Sequence, residues 1–262
     1  MDLNLKDKVA VVCGSTQGIG KATAVELSQL GASIVLVARN EDKLKSVTKE
    51  LDQSNGQKHS YIVADFSKPL ELDEILKSWV SKGNKVHVLV NNTGGPKGGP
   101  IREAHISEFI DTFNQHLICN HILVQNLYPV MKEEGYGRII NVISTSVKQP
   151  LNNLGVSNTI RGAVASWSKT LANELGAFNI TVNNVLPGAT NTDRLQTLAK
   201  IKSDQVSKSV DTIFEGMAAE SPMNRIAQPE EIASAIAFLA SPAAGYINGI
   251  NVPVDGGRTK SL

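Results

Sequence analysis

A glycine-rich stretch near the amino terminus has the residue types and the spacing of a phosphate-binding turn. The apolar run Val9–Cys13 stops at Gly14. Gly18 and Gly20 follow, just before an amphipathic segment, Lys21–Leu30. Glycines let a backbone approach a pyrophosphate closely, and the N–H groups of a first helical turn bind the anion. The spacing differs from the commoner G-x-G-x-x-G pattern. It predicts a dinucleotide site, and a tightly packed turn without a ligand is the alternative.

The rest of the chain alternates strands and helices, which would place this turn at the edge of a sheet. Apolar, β-branched runs without polar alternation are typical of a parallel sheet covered on both faces. We predict further strands at Ser33–Ala38, Ser60–Ala64, Val86–Val90, Arg138–Ile143, Thr181–Leu186 and Ile250–Val254. We predict helices at Glu41–Gln53, Leu70–Ser81, Ser107–Glu134, Leu154–Phe178 and Pro229–Ala240. Because no linker divides the chain, residues 1–262 are predicted to form one doubly wound α/β domain.

A polar segment, residues 192–221, follows the sixth predicted strand. Ligands in open α/β sheets bind at the carboxyl ends of the strands, so this segment is a candidate mobile lid. An ordinary pair of surface helices is an equally good interpretation.

The composition excludes several classes of partner. The 262 residues carry a formal net charge of +1, so no electrostatic footprint favours nucleic acid or an anionic membrane. No apolar run reaches the roughly 18 residues of a membrane span. The two cysteines suggest no disulfide framework, and the histidines show no metal-ligand spacing. We therefore expect a cytoplasmic protein without a metal site.

Several motifs in order resemble the classical short-chain dehydrogenase/reductase family, and β-ketoacyl-acyl-carrier-protein reductases in particular. The resemblance implies a Rossmann-type sheet with helices on both faces, a bound NAD or NADP, and a homotetramer or homodimer. The family usually has alanine where this chain has Thr93. The motifs are Gly14-x-x-x-Gly18-x-Gly20, Asp65 after the third strand, Asn91-Asn92-Thr93-Gly94, Gly137–Asn141, Pro187-Gly188, Pro229–Ala233 and Val254–Gly257.

The resemblance also assigns cofactor contacts. Arg39 follows the second strand, where an NAD-preferring member would carry an acid. A guanidinium pairs with a ribose 2′-phosphate, so Arg39 favours NADP(H), with NAD as the alternative. A solvated arginine opening a loop is the other interpretation of Arg39, and a turn aspartate is that of Asp65. The resemblance places these residues at the cofactor: Gly14, Ser15, Gly18, Ile19, Gly20, Arg39, Asp65, Asn92, Gly94, Arg161, Pro187, Gly188 and Thr192.

The catalytic positions differ from the family's asparagine, serine, tyrosine and lysine. Ser144 keeps the serine, whereas Ser157 stands at the tyrosine position and Arg161 at the lysine position. His116 falls at the asparagine position. A serine hydroxyl is a far weaker acid than a phenol, and an arginine does not give up its proton. We expect either that His116, with an ordinary pKa near about 6.5, replaces the missing proton donor, or that it is a packed histidine without chemistry.

The leading interpretation is an NADP(H)-dependent oxidoreductase that acts on a carbonyl/alcohol pair of a small molecule. The alternative is a catalytically impaired nucleotide-binding protein, serving as a sensor or an assembly subunit. A weaker one is a lyase or isomerase that uses Arg161 and His116 on an acidic substrate. The two longest helices carry more apolar residues than one covered face needs, which predicts an interface between copies of the chain. These residues are Ile118, Ile122, Val164 and Trp167.

Overall fold

A computed structural model describes residues 1–261, which fold around one parallel sheet of seven strands. The strands lie in the order β3-β2-β1-β4-β5-β6-β7, so the direction of winding reverses between β1 and β4. Ligands of such sheets bind at this switch point, outside the carboxyl ends of the strands. The strands are β1 Val9–Cys13, β2 Ser33–Ala38, β3 Ser60–Val63, β4 Val88–Asn91, β5 Gly137–Val142, β6 Ile180–Pro187 and β7 Asn251–Val254.

The strands are mostly apolar because both faces of the sheet are covered. In β1, Ala10 and Val12 pack into one core cluster, whereas Val11 packs into the other. Helices α1, α2 and α9 cover the first face, and α3, α5 and α6 cover the second. The helices are α1 Gly18–Gln29, α2 Glu41–Glu50, α3 Pro69–Ser81, α4 Ile106–Phe113, α5 Cys119–Glu133, α6 Gly155–Leu175, α7 Asp193–Val206, α8 Val210–Ala219 and α9 Pro229–Ala240.

The fold class predicted from the sequence is confirmed, although the bounds of several elements differ: β4 begins at Val88 rather than Val86, and α6 ends at Leu175 rather than Phe178. The second helix ends at Glu50 rather than Gln53. The helix predicted at Ser107–Glu134 is divided into α4 and α5 by a π-helical turn, Asn114–Ile118. Segment 192–221 contains two helices, α7 and α8, joined at Ser207 in a left-handed conformation with φ of 51°. Whether these two helices move as a lid stays a prediction.

None of the helices within residues 1–261 is both long and apolar enough to cross a membrane. The same residues contain no group of three or more His, Cys, Asp or Glu side chains placed to hold a metal ion.

Candidate functional site

The predicted phosphate-binding turn lies at the carboxyl end of β1 and is built so that only glycine fits. Gly14 and Gly18 have positive φ angles of 59° and 54°, which side chains rarely adopt. A Cβ atom on Gly14 would lie 2.6 Å from the carbonyl oxygen of Asn92, and one on Gly20 would lie 2.2 Å from the carbonyl oxygen of Gly14. The turn is therefore a cradle of bare backbone between β1, β4 and α1.

The start of α1 is open to an anion. Its N-cap residue, Gln17, makes no side-chain capping hydrogen bond, so the first N–H groups of the helix have no side chain bound to them. These groups and the positive end of the helix dipole together suit a phosphate. The side chain of Asn92 closes the cradle from β4, because its Nδ2 donates to the carbonyl oxygens of Cys13 and Gly14, both at 3.3 Å. The geometry fits the pyrophosphate of a dinucleotide.

Three other predicted cofactor residues have structural contacts of their own. Ser15 is fully buried, and its Oγ accepts a hydrogen bond from the amide of Val37 at 3.1 Å, which ties the turn to β2. Thr192 caps α7, because its Oγ1 accepts from the amide of Leu195, and it lies beside Gly18. A Cβ atom on Gly188 would lie 2.8 Å from Cα of Asp255, so this glycine allows β6 and β7 to end together.

The remaining members of the predicted cofactor set also lie near the carboxyl ends of the strands. Ile19 packs against the core beneath α1. Gly94 is exposed and has open space around it, and Pro187 is the last residue of β6. The structure thus places these residues together at the carboxyl ends of the strands.

Arg39 and Asp65 face each other at the carboxyl ends of β2 and β3. Burial raises the pKa of Asp65, but hydrogen bonds from Ser67 and the charges of Arg39 and Lys68 outweigh it, so the net pKa is lowered. Arg39 itself is exposed, and among residues 1–261 it forms no ion pair within 4 Å. Its guanidinium is free to bind an anionic group of a ligand at the carboxyl ends of β2 and β3.

Ser144, Ser157 and Arg161 lie where β5 ends and α6 begins. Ser144 caps a short turn, because its Oγ accepts from the amide of Ser146 at 3.1 Å. Ser157 and Arg161 are one helical turn apart on α6 and so share a face. Ser157 is half-buried, whereas Arg161 is only 8% exposed and donates from Nη1 to the carbonyl oxygen of Val142 at 3.1 Å. The position of the Arg161 guanidinium is thus fixed against the end of β5.

His116 does not have the ordinary pKa that the sequence suggests. The π-helical turn carries its ring inward to 1% exposure, and α6 packs against the same turn. Burial, reinforced by the charge of Arg161, lowers the pKa of His116 to about 2. The lowered pKa favours the interpretation of His116 as a packed, neutral histidine, and whether this residue takes part in the chemistry stays a prediction.

Replacing His116 with asparagine is expected to make the protein less sensitive to acid. The unfolded chain binds a proton at this residue below about pH 6.5, and the folded protein does not, so stability falls as the pH is lowered. The loss from this one group reaches about 2 kcal/mol by pH 5. Urea unfolding gives the free energy of unfolding at pH 7 and at pH 5. Between these pH values it should fall by about 2 kcal/mol less in His116→Asn than in the wild type.

The matched control is His105→Asn. His105 is exposed and is the N-cap residue of α4, a position that asparagine also fills well. This variant should keep the acid sensitivity of the wild type. An acid sensitivity unchanged in His116→Asn would contradict the burial of a neutral ring at this position.

Two features of the site were not predicted from the sequence. The hydroxyl of Thr93 lies 2.6 Å from Nδ1 of His116, and the departure from the family's alanine was its only signal. Buried asparagines also link the strands under the site, from Asn91 to Asn141 at 2.8 Å and from Asn141 to Asn184 at 3.0 Å. Asparagines inside otherwise apolar strands are the signal for this chain of hydrogen bonds.

One residue assigned to an interface lies elsewhere. Val164 is fully buried inside the chain, where it packs with Ile143 and Leu186, so it does not reach a second copy. Trp167 is partly buried and packs against the same core. The argument for an oligomer from Val164 therefore fails, although the oligomeric state itself stays a prediction.

Known proteins resemble the chain over almost its whole length. The family described as enoyl-(acyl carrier protein) reductase matches residues 14–259. The NADPH-dependent reductase BacG of Bacillus subtilis is 31% identical over 261 residues, covering 98% of this chain and 100% of its own. The 3-oxoacyl-[acyl-carrier-protein] reductase FabG of Pseudomonas aeruginosa is 30% identical over 261 residues, covering 99% and 100%.

A solved structure agrees with the fold in detail. L-sorbose reductase from Gluconobacter frateurii, complexed with NADPH and L-sorbose, is 33% identical, has a TM-score of 0.93 and covers 100% of both chains. With the glycine cradle and the sheet order, these similarities define a class: Rossmann-type oxidoreductases. The chain belongs to the classical short-chain dehydrogenase/reductase family, as the sequence motifs predict.

Proposed function

We propose that this protein is an NADP(H)-dependent reductase of a small-molecule carbonyl compound, with Ser157 and Arg161 in place of the family's tyrosine and lysine. The observation that carries the proposal is the glycine cradle, where Cβ atoms on Gly20 and Gly14 would lie 2.2 and 2.6 Å from backbone oxygens. Arg39, which forms no ion pair within 4 Å in residues 1–261, supports it. The relatives described above are all named reductases, and two of those names include NADPH. They favour turnover over a binding protein that has lost its chemistry.

The residues of the cradle would hold the cofactor in a fixed orientation. The open N–H groups at the start of α1 would bind the pyrophosphate, and Arg39 would pair with the 2′-phosphate. Arg161, fixed at the end of β5, would contact the ribose next to the reacting ring and the substrate. When bound, NADPH supplies the hydride that reduces the carbonyl carbon.

Among residues 1–261, none of the side chains placed at the site is suited to give a proton to the product oxygen. Ser144 and Ser157 are weak acids, and His116 is neutral with a pKa of about 2. We infer that water, which reaches half-buried Ser157, supplies the proton, and that Arg161 stabilises the negative charge that develops on the oxygen. Without a positioned acid, reduction of simple ketones should be slower by about 10²–10⁴ than in members with the usual pair.

Cofactor choice tests the proposal. We expect the wild type to bind NADPH about tenfold or more tightly than NADH, because a charge-assisted hydrogen bond contributes roughly 1.5–3 kcal/mol. Arg39→Asp should narrow or reverse this preference, as measured by calorimetry with both nucleotides.

Lys82→Asp is the matched control for Arg39→Asp. It makes the same change of charge on the exposed end of α3, next to the opposite edge of the sheet. Its nucleotide preference should equal that of the wild type. Equal affinity of the wild type for NADPH and NADH would contradict the role of Arg39.

We also propose, from the family alone, that the protein forms a homodimer or homotetramer. Ile118 and Ile122 are each only partly buried, so they stay available for such an interface. Helices α7 and α8 are proposed as the lid over the substrate. Arg194 of α7 already reaches across the cleft, where its Nη2 donates to the carbonyl oxygen of Pro96 at 2.5 Å.

A further inference from the structure

Arg161 is a buried cation without a compensating anion. Its side chain is 8% exposed, and its one protein hydrogen bond in residues 1–261 goes to the neutral carbonyl of Val142. Within that part of the chain no carboxylate lies within 4 Å of its guanidinium. Burial lowers the pKa of Arg161 to about 10, which still leaves it charged at neutral pH. Burying an unpaired ion costs several kcal/mol, so a ligand that brings a negative charge would be favoured here.

A second unpartnered group lies next to this cation. Nε2 of His116 is buried and has no hydrogen-bond partner, while Nδ1 contacts the hydroxyl of Thr93. In the tautomer in which that hydroxyl donates to Nδ1, Nε2 carries the ring proton and is a donor. Helix α6, which carries Arg161, packs against the π-helical turn that carries His116, and the charge of Arg161 acts on the ring. In that tautomer Arg161 and Nε2 of His116 both present donors, and donors suit an anion.

The cofactor alone would not balance the charge of Arg161. A ribose presents neutral hydroxyls, and the phosphates are expected at the start of α1 and at Arg39. A guanidinium has five N–H donors in a planar fork, and in Arg161 a single hydrogen bond to the protein is formed. Donors therefore remain for both the ribose and a carboxylate, which an arginine binds through two parallel hydrogen bonds.

We propose that the substrate is a 2-oxo acid, whose carboxylate pairs with Arg161 while the neighbouring carbonyl is reduced; this rests on the proposed function. The overall change is 2-oxo acid, NADPH and a proton to 2-hydroxy acid and NADP⁺. The carbonyl carbon gains the hydride with its electron pair, the C=O π pair moves to oxygen, and that oxygen takes a proton from water. Ser157 is small and half-buried, so it leaves room beside Arg161 where the family has a phenol ring.

Matched acids and esters test this proposal. The probes are pyruvate with methyl pyruvate and benzoylformate with methyl benzoylformate, because each pair differs chiefly in one charge. Calorimetry on the protein saturated with NADP⁺ should show each acid binding about tenfold or more tightly than its ester. In Arg161→Gln this preference should disappear. In assays of NADPH oxidation, Arg161→Gln should mainly raise the KM for the acids. The reason is that the ion pair with Arg161 is present both in the bound substrate and in the transition state.

Lys169→Gln is the control, since it removes one positive charge from an exposed position further along α6. It should keep the wild-type preference. If Arg161→Gln does not fold, Arg161→Lys keeps the charge without the planar fork, and its preference for acids should be weakened but present.

The outcomes separate the two proposals. Equal binding of acids and esters to the wild type, or a preference that survives Arg161→Gln, overturns the 2-oxo acid proposal. If the esters are then still reduced by NADPH, the proposed function stands alone. Selective binding of the acids without NADPH oxidation by either member of a pair would instead overturn the proposed function and leave the anion pocket.

Discussion

Replacing Gly20 with alanine is expected to weaken NADPH binding about a hundredfold or more and to destabilise the fold. The new Cβ atom would lie 2.2 Å from the carbonyl oxygen of Gly14 and 2.7 Å from Nδ2 of Asn92, so backbone must move. That movement displaces the first N–H groups of α1, and each hydrogen bond to an anion contributes roughly 1.5–3 kcal/mol. Overpacking costs typically about 1–3 kcal/mol, which lowers the melting temperature by roughly 2–12 °C. Calorimetry with NADPH and thermal unfolding measure the two effects.

The control for this variant is Gly216→Ala. Gly216 lies inside α8, and a Cβ atom there meets nothing within 4 Å. Alanine should stabilise this helix by up to about 1 kcal/mol and leave NADPH binding as it is. A Gly20→Ala protein that binds NADPH within a few-fold of the wild type and unfolds at the same temperature would show that the cradle is not the phosphate site.

The sequence predicts the fold well because most of the strands are largely apolar runs. Val9–Cys13 and Ser33–Ala38 are found with the predicted bounds, since burial on both faces leaves no polar residue within the run. Helix ends are less certain, and α2 stops three residues early at Glu50. The π-helical turn at Asn114–Ile118 has no pattern in the sequence, because its register depends on how α5 and α6 pack.

The sequence predicts which residues form the site, but it does not predict their charge states or their charged neighbours. The resemblance places Gly14, Gly20 and Asn92 together, and the structure agrees. The sequence alone suggests an ordinary pKa for His116, whereas burial and the charge of Arg161 lower this pKa in the folded protein. No carboxylate within residues 1–261 lies beside Arg161. This depends on all the elements that surround the side chain, so the spacing of residues along the chain does not predict it.

Restoring the family's pair, Ser157→Tyr with Arg161→Lys, is expected to raise kcat/KM for the neutral ketone methyl benzoylformate about tenfold or more. A phenol ionises near about 10, and a nearby cation lowers that value, so it can give a proton to the carbonyl oxygen as hydride arrives. General acid catalysis contributes roughly 10²–10⁴, and only part of it should return because His116 remains where the family has asparagine. Because Ser157 is half-buried, the ring has an open side. Steady-state assays with NADPH measure the gain.

The matched control is Ser157→Phe with Arg161→Lys, which adds the same ring and the same cation without the hydroxyl. If proton donation is the missing function, only the tyrosine variant gains, and its rate falls as the pH rises through the pKa of the new phenol. If the phenylalanine variant gains equally, the ring acts by filling space next to the substrate, and the chemical interpretation of Ser157 fails. A wild type that reduces the ester as fast as ordinary family members, with neither double variant changing the rate, would mean that the chain already has a proton donor. In that case the inference that water supplies the proton would be wrong. The comparison of acids with esters would still decide whether Arg161 pairs with a carboxylate.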